Sequence, residues 1–300
     1  MIKEELPIEK LKSIVIELVG EFEGERGGLH IGELGLGGSI EFKEHKLYSL
    51  GDNLNKIDWK LLGRTNRIYI KEFEREHQLS IMFVLDISSS FFYKGEEGDY
   101  SKIEYAKILS LALSYIFLKQ GDKIGISLFN DKERDYLPLN NGGEQWKRAL
   151  EILTKIKDEK KKTELNTIYN ILTRRKLHHA IVLIFSDLLQ KDIKLEPLFK
   201  VLKATSNYII FVQILTPEEL TFKFSTPILF IDPEYNIEIE LDPYSIKELY
   251  NKEIKQSILN LEELCLKYNI GYLLITTSDR PLLSLKKIIH SIKAIVSKRL

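Results

Sequence analysis

The stretch Leu79-Ser80-Ile81-Met82-Phe83-Val84-Leu85-Asp86-Ile87-Ser88-Ser89-Ser90 decides the fold. Its apolar run, Leu79 to Leu85, has the length of a strand and no solvent-facing alternation. That is how a strand buried on both faces reads, the habit of parallel sheets covered by helices. The run ends on Asp86, with hydroxyls at the alternate positions Ser88 and Ser90. A loop curling round a strand end turns residues 86, 88 and 90 toward one point. One carboxylate and two hydroxyls suit a hard dication such as Mg²⁺, which takes about six oxygens in near-octahedral array and keeps several waters.

Working outward, Ala180 to Phe185 is a second apolar strand, and Ser186-Asp187 stands at its end. If both strands lie parallel in one sheet, Asp86 and Asp187 share its carboxyl edge, where open α/β sheets bind ligands at a switch in strand order. Thr163 offers a third source of oxygen. It lies between a charged loop and the helical-looking stretch from Glu164 to Arg174, as a helix cap or a metal ligand.

Further strands are expected over Lys123 to Phe129, Tyr208 to Leu215 and Gly271 to Thr276, with helices between them. Strands and helices in alternation indicate an α/β fold, a doubly wound, mostly parallel sheet covered on both faces. Ser101 and Glu104 form a capping box that opens the first helix, and Gly121 closes it. Asp242 and Pro243 open a long helix reaching about Tyr268. Between residues 221 and 241, two β-patterned runs flank Asp232-Pro233-Glu234-Tyr235-Asn236, a β-hairpin insertion. Ahead of the sheet, a helix over Pro7 to Val19 precedes a glycine-dense stretch, Gly24 to Gly38. Gly35-Leu36-Gly37-Gly38-Ser39 lacks the Gly-Lys-Ser/Thr of a phosphate-binding loop. The division expected is a smaller N-terminal segment, residues 1–76, and an α/β domain, residues 77–300.

Lys+Arg and Asp+Glu both number 44, so no field of one sign draws the chain to nucleic acid or an anionic membrane. With 44% hydrophobic and 29% charged residues the chain suits a soluble globular protein. Its single cysteine, Cys265, lies in an apolar-patterned helix and supports neither a disulfide framework nor a thiolate metal site. The central stretch Ile108 to Leu118 falls well short of the ~20 residues that span a bilayer. The acidic start Met1-Ile2-Lys3-Glu4-Glu5 is unlike a signal peptide, so a cytoplasmic protein without direct membrane insertion is expected.

Asp86, Ser88, Ser90, Thr163 and Asp187 together resemble the metal-ion-dependent adhesion site of von Willebrand factor A domains. Upstream, Glu41-Phe42, Tyr48, Gly51-Asp52, Ile57-Asp58-Trp59-Lys60, Arg64-Thr65 and Ile70-Lys71-Glu72-Phe73-Glu74 resemble the signature of a bacterial family catalogued as domain of unknown function 58. The chain departs from that pattern at Lys46, Leu50, Asn53 and Phe91, none of them a candidate ligand. Lysine at 46 offers a point charge in place of the bidentate fork of arginine. The resemblance implies a von Willebrand factor A-like domain holding Mg²⁺ or Mn²⁺. Ser88 and Ser90 would ligate directly, Thr163 directly or through water and the aspartates partly through water, leaving one vertex open for an acidic residue of a protein partner. It also implies a chaperone-like accessory role beside a MoxR-type AAA+ ATPase or its client, without catalysis.

Two other readings use the same residues. A phosphate-handling enzyme would use Asp86 as a nucleophile with Mg²⁺ and Asp187 beside it. The haloacid-dehalogenase pattern, however, needs a second aspartate where Ser88 stands. A metal-independent interaction module is the other. Lys155 to Lys162 carries five lysines beside Thr163, interrupted by Asp158 and Glu159. It reads as a solvated loop that could also help select an acidic partner. His178 and His179, neighbours entering a strand, face opposite ways and suit structure rather than a metal pair. Trp59, Leu61 and Leu62 are expected to pack on the sheet, with Asp58 pairing Arg64 or Arg67.

Overall fold

A computed structural model describes residues 6–24, 40–49, 57–65, 67–75, 78–189, 195–205, 207–222, 228–232, 237–241 and 243–297. The decisive stretch forms β3 (Ser80–Asp86), the centre of a six-stranded sheet. Its companions are β4 (Lys123–Phe129), β5 (Glu133–Asn140), β6 (Ile181–Ser186), β7 (Tyr208–Leu215) and β10 (Gly271–Thr276). The spatial order is β10-β7-β6-β3-β4-β5, parallel throughout except for β5, which pairs antiparallel with β4 at one edge. The chain leaves β3 toward β4 on one side and returns to β6 on the other. The switch in strand order therefore falls at β3, beside the ends of Asp86 and Asp187.

Period-two alternation along β3 feeds two cores. Ile81, Phe83 and Leu85 face the cluster built by α3 (Lys102–Lys119), α4 (Gln145–Thr154) and α9 (Pro281–Ser297). Met82 and Val84 face the cluster built by α5 (Asn166–Arg174), α6 (Leu195–Ala204) and α8 (Pro243–Tyr268). A strand flanked this way has no polar face to show, so its sequence reads as one apolar run.

Helix α3 is buried nearly all round, which explains its lack of a polar stripe. Its outer side is covered by α1 (Ile8–Gly24), whose Leu11, Val15, Leu18, Val19 and Phe22 enter the same core. Lys119 pairs with Glu23 at 2.7 Å, and Glu104 Oε1 accepts the Leu6 N–H at 3.2 Å, closing the two ends of that contact. The expected capping box is present: Ser101 accepts from the Glu104 N–H, and the Glu104 carboxylate accepts from the Ser101 N–H at 2.8 Å. Gly121 sits at φ +85°, beyond the C-terminus of α3, where a side chain would be strained. The hairpin insertion is β8 (Ile228–Asp232) paired antiparallel with β9 (Ile237–Leu241), and the short α7 (Pro217–Thr221) lies ahead of it. Cys265 is buried in α8.

The expectations need four corrections. The antiparallel edge strand β5 carries Pro138 and mixes exposed and part-buried residues around one buried residue, Leu137, so it lacks the apolar run that marks the inner strands. Two further strands, β1 (Ile40–Leu47) and β2 (Tyr69–Arg75), pair antiparallel around α2 (Trp59–Thr65). Trp59 does not pack on the sheet; it is 69% exposed, and α2 has no buried residue. Among the described residues Asp58 is not seen in an ion pair with Arg64 or Arg67. It caps α2 through the Lys60 and Leu61 N–H groups and meets His45 Nε2 at 3.0 Å. The glycine-dense loop at 35–39 and the hairpin turn at 233–236 lie outside the described residues.

These contrasts predict opposite mutational outcomes in urea denaturation. Phe22→Ala, which empties the seam between α1 and α3, is expected to cost about 3 kcal/mol or more. Trp59→Ala is expected to cost less than about 0.5 kcal/mol.

Candidate functional site

The five residues singled out in the sequence meet at the carboxyl edge of the sheet. Asp86 closes β3 and is fully buried. Its Oδ1 accepts the Ser88 N–H at 2.9 Å, which turns the loop back over the strand end. Thr163 Oγ1 donates between both carboxylate oxygens, at 3.1 and 2.9 Å, so Thr163 is not a helix cap; α5 starts at Asn166. Ser88 precedes and Ser90 lies within a short 3-10 turn at Ser89–Phe92, and their Oγ atoms come to 3.2 Å of each other. Asp187, 3% exposed, follows β6 directly. Leu188 then takes a left-handed conformation at φ 53°, and the Asp187 carbonyl accepts from Gln213 Nε2 on β7 at 2.6 Å.

Sequence reasoning left three participants out of the site. Ser186 Oγ donates to Asp86 Oδ2 at 2.7 Å; its position beside Asp187 at a strand end was a readable hint. Lys102 Nζ is fully buried, donates to Asp187 Oδ2 at 2.9 Å and also binds Glu219 Oε1. Glu219 belongs to the capping box of α7, where its Oε2 accepts the Thr216 N–H at 2.8 Å. A signal for Lys102 existed: a cation at the first position of a helix sits against the positive end of the macrodipole and needs another partner.

The electrostatics follow from burial. Desolvation first, and the charge of Asp187 second, push the Asp86 carboxyl from 3.8 up to about 7, against the opposing hydrogen bonds from Ser186 and Ser88. For Lys102 burial by itself would pull the ammonium down. Asp187 and Glu219 outweigh it and hold Lys102 above its ordinary range. The site thus contains one internal cation tied to two carboxylates, next to a third carboxylate that burial keeps close to neutrality.

Among the described residues no group of three or more His, Cys, Asp or Glu could hold a metal. The convergent donors are of another type, two carboxylates and three hydroxyls. That is a hard-oxygen set of the kind that suits Mg²⁺ or Mn²⁺, and Asp86, Ser88, Ser90, Thr163 and Asp187 fit such an ion.

With this geometry in place, the family described as protein of unknown function DUF58 matches residues 44–258. The chain belongs to this family. It is 20% identical over 237 residues to the uncharacterized protein Rv1480 of Mycobacterium tuberculosis, covering 78% of this chain and 73% of that protein. Among solved structures it resembles an aerotolerance-related membrane protein from Bacteroides fragilis, with TM-score 0.50 and 17% identity over 72% of this chain and 99% of the other. It also resembles the SpRpn10 VWA domain, with TM-score 0.40 and 11% identity over 70% and 94%. The DUF58 chain has a mixed α/β fold, a mostly parallel six-stranded sheet flanked by helices. No described helix is long and apolar enough to cross a membrane.

Two predictions follow from the charges. An acid whose folded pKa lies above its unfolded value favours the fold only while protonated. The contribution of Asp86 is therefore complete below about pH 4 and lost as pH climbs through about 7. Metal-free protein is expected to lose stability over that window relative to Asp86→Asn, by up to about 4 kcal/mol, in urea melts at stepped pH. Separately, Lys102→Met leaves Asp187 and Glu219 without their shared cation and is expected to cost about 3–5 kcal/mol in the same assay at neutral pH.

Proposed function

We propose that this DUF58 protein is a divalent-metal-dependent protein-binding factor. The observation that carries the reading is the convergence of Asp86, Ser88, Ser90, Thr163 and Asp187 at the switch point of the sheet, a hard-oxygen cluster that would hold Mg²⁺ or Mn²⁺. A bound dication supplies a Lewis-acidic vertex that favours an anionic ligand from outside, here an aspartate or glutamate of the partner. The chain's own residues do the rest. Thr163 and Ser186 hold the Asp86 carboxyl in place, and Lys102 orients Asp187.

The family resemblance supports a MoxR-type AAA+ ATPase, or that ATPase's client, as the partner, and work in the cytoplasm on assembly or maturation of protein complexes. On this reading the protein is not an enzyme. Use of Asp86 as a phosphoryl-accepting nucleophile is disfavoured by its full burial and by hydrogen bonds that occupy both of its oxygens.

Isothermal titration of Mn²⁺ or Mg²⁺ into chelator-treated protein is expected to show one site that Asp86→Ala lacks while its circular dichroism is retained. Because the ion displaces the Asp86 proton, affinity is expected to rise as pH passes through about 7. Unchanged capture of a MoxR-type ATPase by Asp86→Ala, or in chelator, would sink the metal-bridge reading.

A further inference from the structure

The two loops that rim the site carry opposite charge. One runs from residue 155 to 162. Its two acids stay exposed but are engaged by the protein: Asp158 Oδ1 accepts from Ser89 Oγ at 2.7 Å and from the Lys160 N–H at 2.8 Å, and Glu159 pairs with Arg134 at 3.0 Å. The Lys161 carbonyl accepts the Ser89 N–H at 2.9 Å, which fixes the loop to the residue between Ser88 and Ser90. Lys155, Lys157, Lys160, Lys161 and Lys162 are all exposed, and none of them enters an ion pair among the described residues. The acids in the run therefore act as tethers, and the lysines are left as a basic wall.

The second loop, residues 93–100, presents exposed Glu96, Glu97 and Asp99. Its lysine, Lys94, turns back to the Asp99 carbonyl. The loop is gripped from α7, where Glu218 Oε1 accepts the N–H groups of Glu96 and Glu97 at 2.7 and 2.9 Å. Gly95 is needed there, since a Cβ would lie 2.0 Å from the Glu218 carboxylate. Strand order puts the two walls on opposite sides of Asp86. The lysine loop bonds to the β4 end through Glu164 N–H to Asn130, whereas the acidic loop is held by Glu218 after β7 and touches Thr277 after β10 through Gly98.

We infer that the partner binds through an acidic segment that runs from the site over the lysine wall, away from Glu96, Glu97 and Asp99. This rests on the metal-bridged reading for the carboxylate at the site itself, and adds the direction and charge of the segment that carries it. Charge complementarity of this kind sets orientation and association rate and is screened by salt. The site and the wall are joined through Ser89 and through Thr163, which directly follows Lys162, so a carboxylate at the site leaves its neighbours within reach of the lysines.

The test uses the full chain in Mn²⁺ with a fluorescent glutamate-rich peptide and a lysine-rich peptide of equal length. The glutamate-rich peptide is expected to bind, more weakly as salt rises, and the lysine-rich one not to bind. The combined variant Lys157→Gln, Lys161→Gln, Lys162→Gln is expected to weaken binding about tenfold and to flatten the salt dependence. Asp86→Ala separates the two ideas. If it abolishes binding while the lysine variant binds like wild type, the wall is refuted and the metal site stands. If the lysine variant loses binding while Asp86→Ala and chelator leave it intact, the wall stands without the metal. Failure of the glutamate-rich peptide to bind wild type, or equal binding of both peptides, overturns the inference.

Discussion

A carboxylate with no exposure to water, set at the end of a wholly apolar strand, is the constraint on which this structure depends. A buried charge is tolerated only where it is hydrogen-bonded, paired or neutralised. Asp86 is met by donors from distant parts of the chain: the Ser88 N–H from its own loop, the Thr163 hydroxyl from the approach to α5 and the Ser186 hydroxyl from β6. Satisfying one side chain thereby brings together segments about one hundred residues apart, and the same hydroxyls form the hard-oxygen cluster.

Lys102 extends that logic from one carboxylate to a network. It joins Asp187 after β6 to Glu219 in α7, while the adjacent Glu218 holds the loop that leads from the serines into α3. Ion pairs of this depth gain little over apolar packing, but losing one member strands the others. Their value here is positional: the short helix α7, the 93–100 loop and the end of β6 cannot shift independently. Tyr250 of α8 adds a bond from its hydroxyl to the Glu219 carbonyl at 2.8 Å, carrying the network to the opposite face of the sheet.

The N-terminal part divides in a way that its sequence pattern conceals. Helix α1 completes the burial of α3 and is as much part of the α/β core as the helices that follow it. The β1–α2–β2 lobe instead leaves Trp59, Leu47 and Ile68 exposed around a His45–Asp58 contact. A tryptophan next to two leucines resembles a core segment when only hydropathy is considered. In the fold, Asp58 spends its carboxylate on capping a two-turn helix too short to bury both its faces.

What the sequence by itself determined is the set of features with a local physical cause. Unbroken apolar runs specify strands covered on both faces, Ser101 and Glu104 specify a helix start, and aspartates placed directly after apolar strands specify acids at a sheet edge. Thr163 was legible as an oxygen near that edge, though its choice of Asp86 over a helix cap was not. Only the tertiary structure decided which groups answer those acids. Ser186, Lys102 and Glu219 come from positions whose meeting depends on strand order, and strand order leaves no mark on local pattern. The edge strand β5 escaped for a related reason: a half-exposed strand carries a weak pattern, and its pairing with β4 is a property of the assembled sheet.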